Sequence, residues 1–172
     1  MSKDKICIEE VFLRRLRGDE FDAYAALLAE ADAVHHEAEP ALIKPPDQAR
    51  PEEQDFLDRL NDPLRLLDTA VVVDTAGTAH LAGLIDARLT RRDEDRIHLA
   101  NTVTWIDLIV VAEQWRRRGI GRMLLDRVRQ WALAQGADSV ILNAYAFNIV
   151  AARLYEKAGF SVRTKMYAQP LR

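Results

Sequence analysis

The chain of 172 residues contains almost no cysteine and no long apolar run. Cys7 stands alone, which excludes an internal disulfide and fits a reducing cytosol. No apolar run approaches the ~20 residues that a membrane-spanning helix needs. No apolar segment of the secretory-signal kind follows residues 1–5. We therefore expect a cytoplasmic protein that has no membrane partner.

A surplus of positive charge is also missing. The chain has 24 Lys and Arg against 27 Asp and Glu, which gives a formal net charge of −3 and a pI of about 5.8. Nucleic-acid binders usually carry a basic face or stripe. The composition therefore predicts no nucleic-acid partner, although it is compatible with a local basic patch.

Metal ligands are sparse as well. None of the four histidines follows the ligand spacing of a zinc site, so we expect no metal. These residues are His35, His36, His80 and His98. No residue close to Cys7 in the sequence would activate its thiol. We therefore interpret Cys7 as a strand residue rather than a nucleophile.

Length and pattern predict one domain over residues 1–172. Apolar residues make up 49% and charged residues 30%, as in average soluble proteins. The apolar spacing predicts strands at 6–16, 66–74, 80–89, 102–111, 139–144 and 160–167. It predicts helices from Asp19 to the His35–His36 pair, then at 51–60, 119–135 and 148–158. This order indicates a mixed α/β domain of the α+β class, with a mostly antiparallel, twisted central sheet flanked by helices.

The most informative segment is Arg116–Gly121, RRRGIG, between a strand and a helix. The first N–H groups of a helix lack internal partners, and the helix dipole adds partial positive charge there. Glycines let the backbone turn tightly and approach a ligand. Residues 113–130 hold six arginines and two acids, a local charge of +4. The segment predicts an anion site that suits a pyrophosphate, although solvated arginines at a helix start would produce the same pattern.

Two other phosphate-binding loops do not match this segment. A Walker loop needs Gly-Lys-Ser/Thr, but Arg122 and Met123 follow Gly121. A dinucleotide-binding loop needs Gly or Ala where Leu124 stands.

A second motif lies at Asn148–Phe160, NIVAARLYEKAGF. It resembles the C-terminal motif of the GNAT superfamily of N-acetyltransferases: Asn, Ala three residues later, Leu-Tyr, then Gly-Phe. Arg116-x-x-Gly119-x-Gly121 resembles that family's acetyl-CoA loop, (Gln/Arg)-x-x-Gly-x-(Gly/Ala), and residues 105–111 resemble the strand before it. The resemblance is close from Trp105 to Phe160 and extends to the N-terminal half only in the order and length of elements.

The resemblance implies a single GNAT-like domain with splayed central strands, and acetyl-CoA as co-substrate. A strand backbone would pair with the pantetheine arm, the RxxGxG loop would wrap the pyrophosphate, and Asn148 would contact the same molecule. Asn148 also fits a helix N-cap. The implied cofactor-binding residues are Ile109, Val110, Val111, Arg116, Arg117, Arg118, Gly119, Ile120, Gly121, Arg122 and Asn148.

The resemblance also implies an acyltransferase that moves the acetyl group directly to a primary amine of a small molecule or peptide. Tyr155 would protonate the departing thiolate. A tyrosine pKa near 10 lies above a thiol pKa near 8.5, so this donation is downhill. The alternative interpretation of Tyr155 is an ordinary core aromatic.

The general base is where the chain departs from the family pattern. Some members carry a glutamate where Trp105 stands, and a tryptophan cannot take a proton. Asp107 lies two residues on, on the same strand face, and is our catalytic candidate. Glu113, His98 and a water chain are alternatives, and Asp107 fits equally well as a carboxylate bonded to a neighbouring strand.

No motif identifies the amine acceptor. The region around His35–Glu37 is a candidate substrate-facing edge, with a solvated helix end as the alternative. Homodimers are common among similar proteins, and no local signal here indicates one. A second hypothesis is a non-catalytic acyl-CoA-binding regulatory domain, against which the retained Tyr155 argues.

Overall fold

Five strands lie side by side in the same order as along the chain. The computed structural model describes residues 8–169 and 171, so Cys7 lies outside the described residues. The strands are β1 (Ile8–Arg15), β2 (Arg65–Asp74), β3 (Ala79–Arg92), β4 (Asn101–Val111) and β5 (Ser139–Leu142). The helices are α1 (Phe21–Ala38), α2 (Glu53–Asn61), α3 (Ile120–Ala134) and α4 (Ile149–Lys157).

The sheet is antiparallel from β1 to β4, and only β5 joins it in parallel. A tight turn connects β2 to β3, with Gly77 at φ +80°. There the Asp74 carboxylate accepts hydrogen bonds from the N–H groups of Ala76 and Thr78, both at 2.9 Å. These features confirm the predicted mixed α+β class and the mostly antiparallel sheet.

Helices cover both faces of the sheet. Gly83 of β3 packs against Leu124 of α3, whereas Asp86 and Arg88 face a cavity lined by α1 and α2. Because successive strand residues point to opposite faces, α3 covers one face and the first two helices cover the other. The apolar core continues through the sheet, with Leu84, Ile85 and Val110 in one cluster.

The second half of β4 has no described strand beside it on the β5 side. β4 pairs with β5 only from Val103 to Ile106, but it pairs with β3 as far as Val111. The last residues of β4 therefore have one paired edge and one open edge. The β3–β4 ladder also contains a bulge, because Ile106 pairs with Ala87 and Leu108 pairs with Asp86, so Asp107 has no partner opposite.

The predicted last strand, 160–167, is wrong. Residues 160–169 contain no strand, and the N–H of Phe160 instead bonds to the carbonyl of Tyr155 at 3.0 Å, which closes the end of α4. Val162 and Met166 are 72% and 93% exposed. A segment with alternating apolar residues forms a strand only when a neighbouring strand completes its backbone hydrogen bonds. None of the described strands pairs with residues 160–169.

Gly83 holds the sheet and α3 in close contact. A Cβ at this position would lie 2.9 Å from the carbonyl oxygen of Val110 and 3.2–3.3 Å from Leu124 and Ile120. The carbonyl belongs to the β4 backbone and cannot rotate away as a side chain could. Because Gly83 has no side chain, the start of α3 can pack directly against the sheet at this point.

We predict that Gly83→Ala lowers the free energy of unfolding by about 1–3 kcal/mol, because the added methyl overpacks a rigid contact. Gly18→Ala is the control, since its nearest contact would be an ordinary 3.7 Å to Leu57. We expect that control to change stability by less than about 0.5 kcal/mol. Urea unfolding of both variants measures the difference, and equal midpoints would contradict this account of Gly83.

Candidate active site

The Arg-rich loop leaves β4 and enters α3 through two left-handed residues. Gly119 has φ +82°, and Arg117 has φ +65°, the one positive φ outside glycine among the described residues. The N–H groups of Arg122 and Met123 bond to the carbonyl of Gly119 at 3.0 and 3.1 Å. The N–H groups of Ile120 and Gly121 are then those that a helix start leaves without an internal partner.

The arginines of this segment have different surroundings. Arg116 donates from Nε to the carbonyl of Val111 at 2.9 Å, and Arg118 lies 5.3 Å above the Trp115 ring. Arg117 is exposed to solvent. These three consecutive arginines, 116–118, supply the positive charge of the loop between β4 and α3.

Two arginines counted in the local charge are used for packing. Arg122 pairs with Asp126 at 2.9 Å and also donates to the carbonyl of Lys157 at 3.0 Å. Arg127 donates to the buried carboxylate of Asp68 at 2.7 Å. The sequence count of +4 thus overstates the charge that is free to meet an anion.

Gly121 brings the two sequence motifs into contact. A Cβ on Gly121 would lie 2.9 Å from Cδ2 of Leu154, which belongs to the Leu-Tyr pair of α4. The bond from Arg122 to Lys157 joins the same two helices. The small size of Gly121 therefore serves helix packing, which its sequence context alone did not indicate.

Two residues of the second motif lie on α4. Asn148 caps the helix, its side chain accepting from the N–H of Ala151 at 3.1 Å, which confirms the N-cap interpretation. Tyr155 is half-buried, and its ring lies 6.0 Å from that of Phe160. Burial raises the pKa of the Tyr155 phenol, so the hydroxyl keeps its proton throughout the neutral range.

Asp107, at the bulge, is part of a chain of five charged side chains. It accepts from Nη1 of Arg65 at 3.0 Å and from Nε of Arg88, which is 3.0 Å from each of its oxygens. Asp86, 1% exposed, accepts from Arg59 at 2.8 Å and from the same Nη1 of Arg65. Arg65 therefore joins the two carboxylates.

A cavity of about 480 Å³ lies above this charged chain, between the sheet and the first two helices. Its lining includes Asp107 and Leu108 of β4, directly after Ile106, where the pairing with β5 ends. Neither Glu113 nor His98 belongs to its lining. The lining residues are Tyr24, Leu28, Asp32, Pro51, Asp55, Arg59, Arg65, Asp86, Arg88, Asp107 and Leu108.

Sequence reasoning missed most of this charged floor. The available signal was Asp86 and Arg88, two charged residues on one face of an otherwise apolar strand. Tyr24 of α1 also lines the cavity. Burial, with Asp86 nearby, raises the pKa of the Tyr24 phenol, while Arg59 opposes this shift.

The His35 region forms an aromatic cluster. The His35 ring lies 5.2 Å from Tyr145 and 5.9 Å from Phe147, and those two rings stack at 5.2 Å. Within residues 8–169 and 171, no three His, Cys, Asp or Glu side chains gather as a metal would require. None of the described helices is long and apolar enough to cross a membrane.

A model of the acetyltransferase (GNAT) family matches residues 31–160. The chain is 35% identical over 75 residues to the uncharacterized N-acetyltransferase YobR of Bacillus subtilis (strain 168), covering 40% of this chain and 30% of that protein. It is 40% identical over 67 residues to mycothiol acetyltransferase of Corynebacterium aurimucosum, covering 38% and 22%. The matches thus span less than a third of the length of either curated relative.

Solved structures share the fold at low sequence identity. A mutant BH1408 protein from Bacillus halodurans has a TM-score of 0.84 at 17% identity, covering 94% of this chain and 99% of that one. Aminoglycoside N-acetyltransferase AAC(6')-Iy in complex with CoA has a TM-score of 0.64 at 18% identity, covering 95% of both chains. These structures support the fold, not a substrate.

We predict that Asp86→Asn lowers the free energy of unfolding by about 3 kcal/mol, because it leaves Arg65 partly buried with one carboxylate fewer. Asp22→Asn is the matched control. Asp22 pairs with Arg50 at 2.6 Å, but its side chain is 92% exposed, so its loss should cost less than about 1 kcal/mol. Chemical denaturation compares the two, and a similar small loss in both would contradict a structural role for the buried pair.

Proposed function

The chain belongs to the GNAT family of acetyltransferases, and on that premise we propose that it transfers an acetyl group from acetyl-CoA directly to a primary amine of a small molecule or peptide. The observation that carries the proposal is the open edge of β4. It ends at Val111, which contacts Arg116 of the Arg-rich loop and lies beside Gly121, where α3 meets α4. Asp107 and Leu108 of the same strand line the charged cavity.

We assign acetyl-CoA to the open edge of β4. The backbone of Ile109–Val111 pairs with β3 on one edge only. The Val111 carbonyl accepts from Arg116, so the other N–H and C=O groups of the open edge are those available to the amides of the pantetheine arm. The N–H groups at the start of α3 and the exposed side chain of Arg117 suit the pyrophosphate. The proposed set is Ile109, Val110, Val111, Arg116, Arg117, Arg118, Gly119, Ile120, Gly121, Arg122 and Asn148.

The acceptor amine would enter from the cavity and attack the thioester carbonyl as a neutral amine. A backbone N–H of Val110 or Val111 would stabilise the oxyanion that forms. When the C–S bond breaks, Tyr155 would donate its proton to the thiolate sulfur. The raised pKa of Tyr155 favours this role, because the phenol remains protonated at neutral pH.

Asp107 remains our candidate for the group that takes the amine proton. A carboxylate offers about four lone-pair sites, and the contacts of Asp107 with Arg65 and Arg88 leave room for one more partner. Asp107 also lines the cavity, unlike Glu113 and His98. A water chain to solvent is the alternative route for the proton.

The proposal is tested by following thiol release from acetyl-CoA with amino acids, polyamines, aminoglycosides and peptides. We expect release with at least one amine, and Tyr155→Phe should lower kcat by about a hundredfold because the thiolate loses its proton donor. CoA affinity, measured by calorimetry, should stay unchanged in this variant. Tyr167→Phe, on an 87% exposed side chain, is the control and should keep full activity.

Two results would contradict this assignment. Binding of acetyl-CoA without thiol release for any amine would favour the regulatory acyl-CoA-binding domain. Full activity in Tyr155→Phe would remove Tyr155 from the reaction.

We predict that Arg117→Glu weakens CoA binding by about tenfold or more, because it reverses a charge beside the pyrophosphate. Binding of pantetheine, which has no pyrophosphate, should not change. Arg129→Glu is the control, since Arg129 is exposed on α3 about 13 Å along the helix from its start. Equal losses in the two variants would indicate a general charge effect rather than a pyrophosphate contact.

A further inference from the structure

The floor of the cavity carries more positive than negative charge. Arg59, Arg65 and Arg88 stand against Asp86 and Asp107, an excess of one positive charge. Asp86 is 1% exposed, so its carboxylate interacts with Arg59 and Arg65 and not with a ligand in the cavity. The side chains of Arg59 and Arg88 are 42% and 41% exposed, so both keep contact with the cavity and its solvent.

Each of these two arginines uses only part of its guanidinium group. Arg88 bonds to Asp107 through Nε, and Arg59 bonds to Asp86 through Nη1. No other hydrogen bond from either guanidinium is found in the part of the chain that the structure describes. A guanidinium has five N–H donors, and its unused edge matches a carboxylate in a two-pronged geometry.

Two further carboxylates line the cavity from the helices. They are Asp32 of α1 and Asp55 of α2, one turn before Arg59 on the same helix, and neither forms an ion pair with any described residue. Burial raises the pKa of Asp32 while His35 opposes this shift, and a bound cation would further offset the cost of burying this carboxylate. The cavity therefore has Arg88 beside the β4 bulge, and two carboxylates without ion-pair partners among the described residues on the helices that cover it.

We infer that the amine acceptor is an α-amino acid, free or at the end of a short peptide, with a cationic side chain. Its carboxylate would bind the free edge of Arg88, and its side-chain cation would face Asp32 and Asp55. One carbon separates an α-amine from its carboxylate, and Arg88 touches Asp107, so the α-amine then lies beside the proposed base. The inference rests on the proposed acetyl transfer and names its substrate class.

A polycation without a carboxylate fits this cavity less well. It would satisfy Asp32 and Asp55, but it would place further positive charge against Arg59 and Arg88 at the reacting end. Charge pairing of this kind separates substrates by repulsion as well as by attraction.

The test compares amines that differ in one charged group. Lysine and arginine are assayed against cadaverine and agmatine, which lack only the carboxylate, and lysine against norleucine, which lacks only the side-chain charge. We expect kcat/KM to favour lysine over both partners by about tenfold or more. Arg88→Gln should abolish the preference for lysine over cadaverine, whereas Asp55→Asn should reduce the preference over norleucine, since Asp32 remains.

The ratio between paired substrates is the deciding quantity, because Arg88 also holds Asp107 and its loss alone would slow every acceptor. If Arg88→Gln does not fold, binding of Nα-acetyl-lysine and N-acetylcadaverine to the unaltered protein replaces it, and tighter binding of the first is expected. Equal or better turnover of cadaverine, spermidine or kanamycin overturns this inference but leaves acetyl transfer intact. Absence of thiol release with every amine overturns the proposed function itself.

Discussion

The strand β4 is longer than its neighbour β5, and the organisation of the site depends on that difference. A ladder that stops at Ile106 on one edge and continues to Val111 on the other leaves backbone groups without a strand partner. Arg116 binds the Val111 carbonyl, and the others need partners from solvent or from a ligand. At the end of this open edge α3 and α4 pack together, where Gly121 meets Leu154 and lies beside Val111. The Arg-rich loop and the tyrosine helix are therefore both positioned next to the last residues of β4.

The charged floor next to this gap is costly to bury. Replacing a buried ion pair by apolar residues is often neutral or stabilising, so pairing alone is a weak reason to keep one. In this fold the buried ion pair between Asp86 and Arg65 positions the Arg65 guanidinium, which in turn binds the Asp107 carboxylate at the bulge. Charged networks in clefts are a common property of functional sites, and this one joins the acceptor side to the strand that we assign to acetyl-CoA.

The sequence was sufficient for most of the fold because its signals are local. Apolar spacing located the four helices and the five observed strands within a few residues, and the two motifs pointed to the loop and to α4. The predicted strand 160–167 was wrong because alternation describes one segment, while a ladder needs two. Arg122 and Arg127 were counted as free charge, since composition does not reveal partners such as Asp126 and Asp68. The contact between Arg65 and Asp107 joins residues 42 positions apart and depends on strand register, which no local pattern encodes.

The bulge at Asp107 divides β4 into two segments with opposite parity. Asp107 and Leu108 both line the cavity, which neighbouring residues of a regular strand cannot do. Strict alternation counted from Asn101 assigns each residue after the bulge to the wrong face of the sheet. If this strand is aligned with a strand that has no bulge, the residues that share a face are therefore offset by one position after Asp107. Removing Asp107 would restore a regular ladder and leave the facing of residues 108–111 unchanged, because Ile106 and Leu108 already oppose neighbouring residues of β3. The extra residue therefore adds a carboxylate at the cavity without altering the register of the strand.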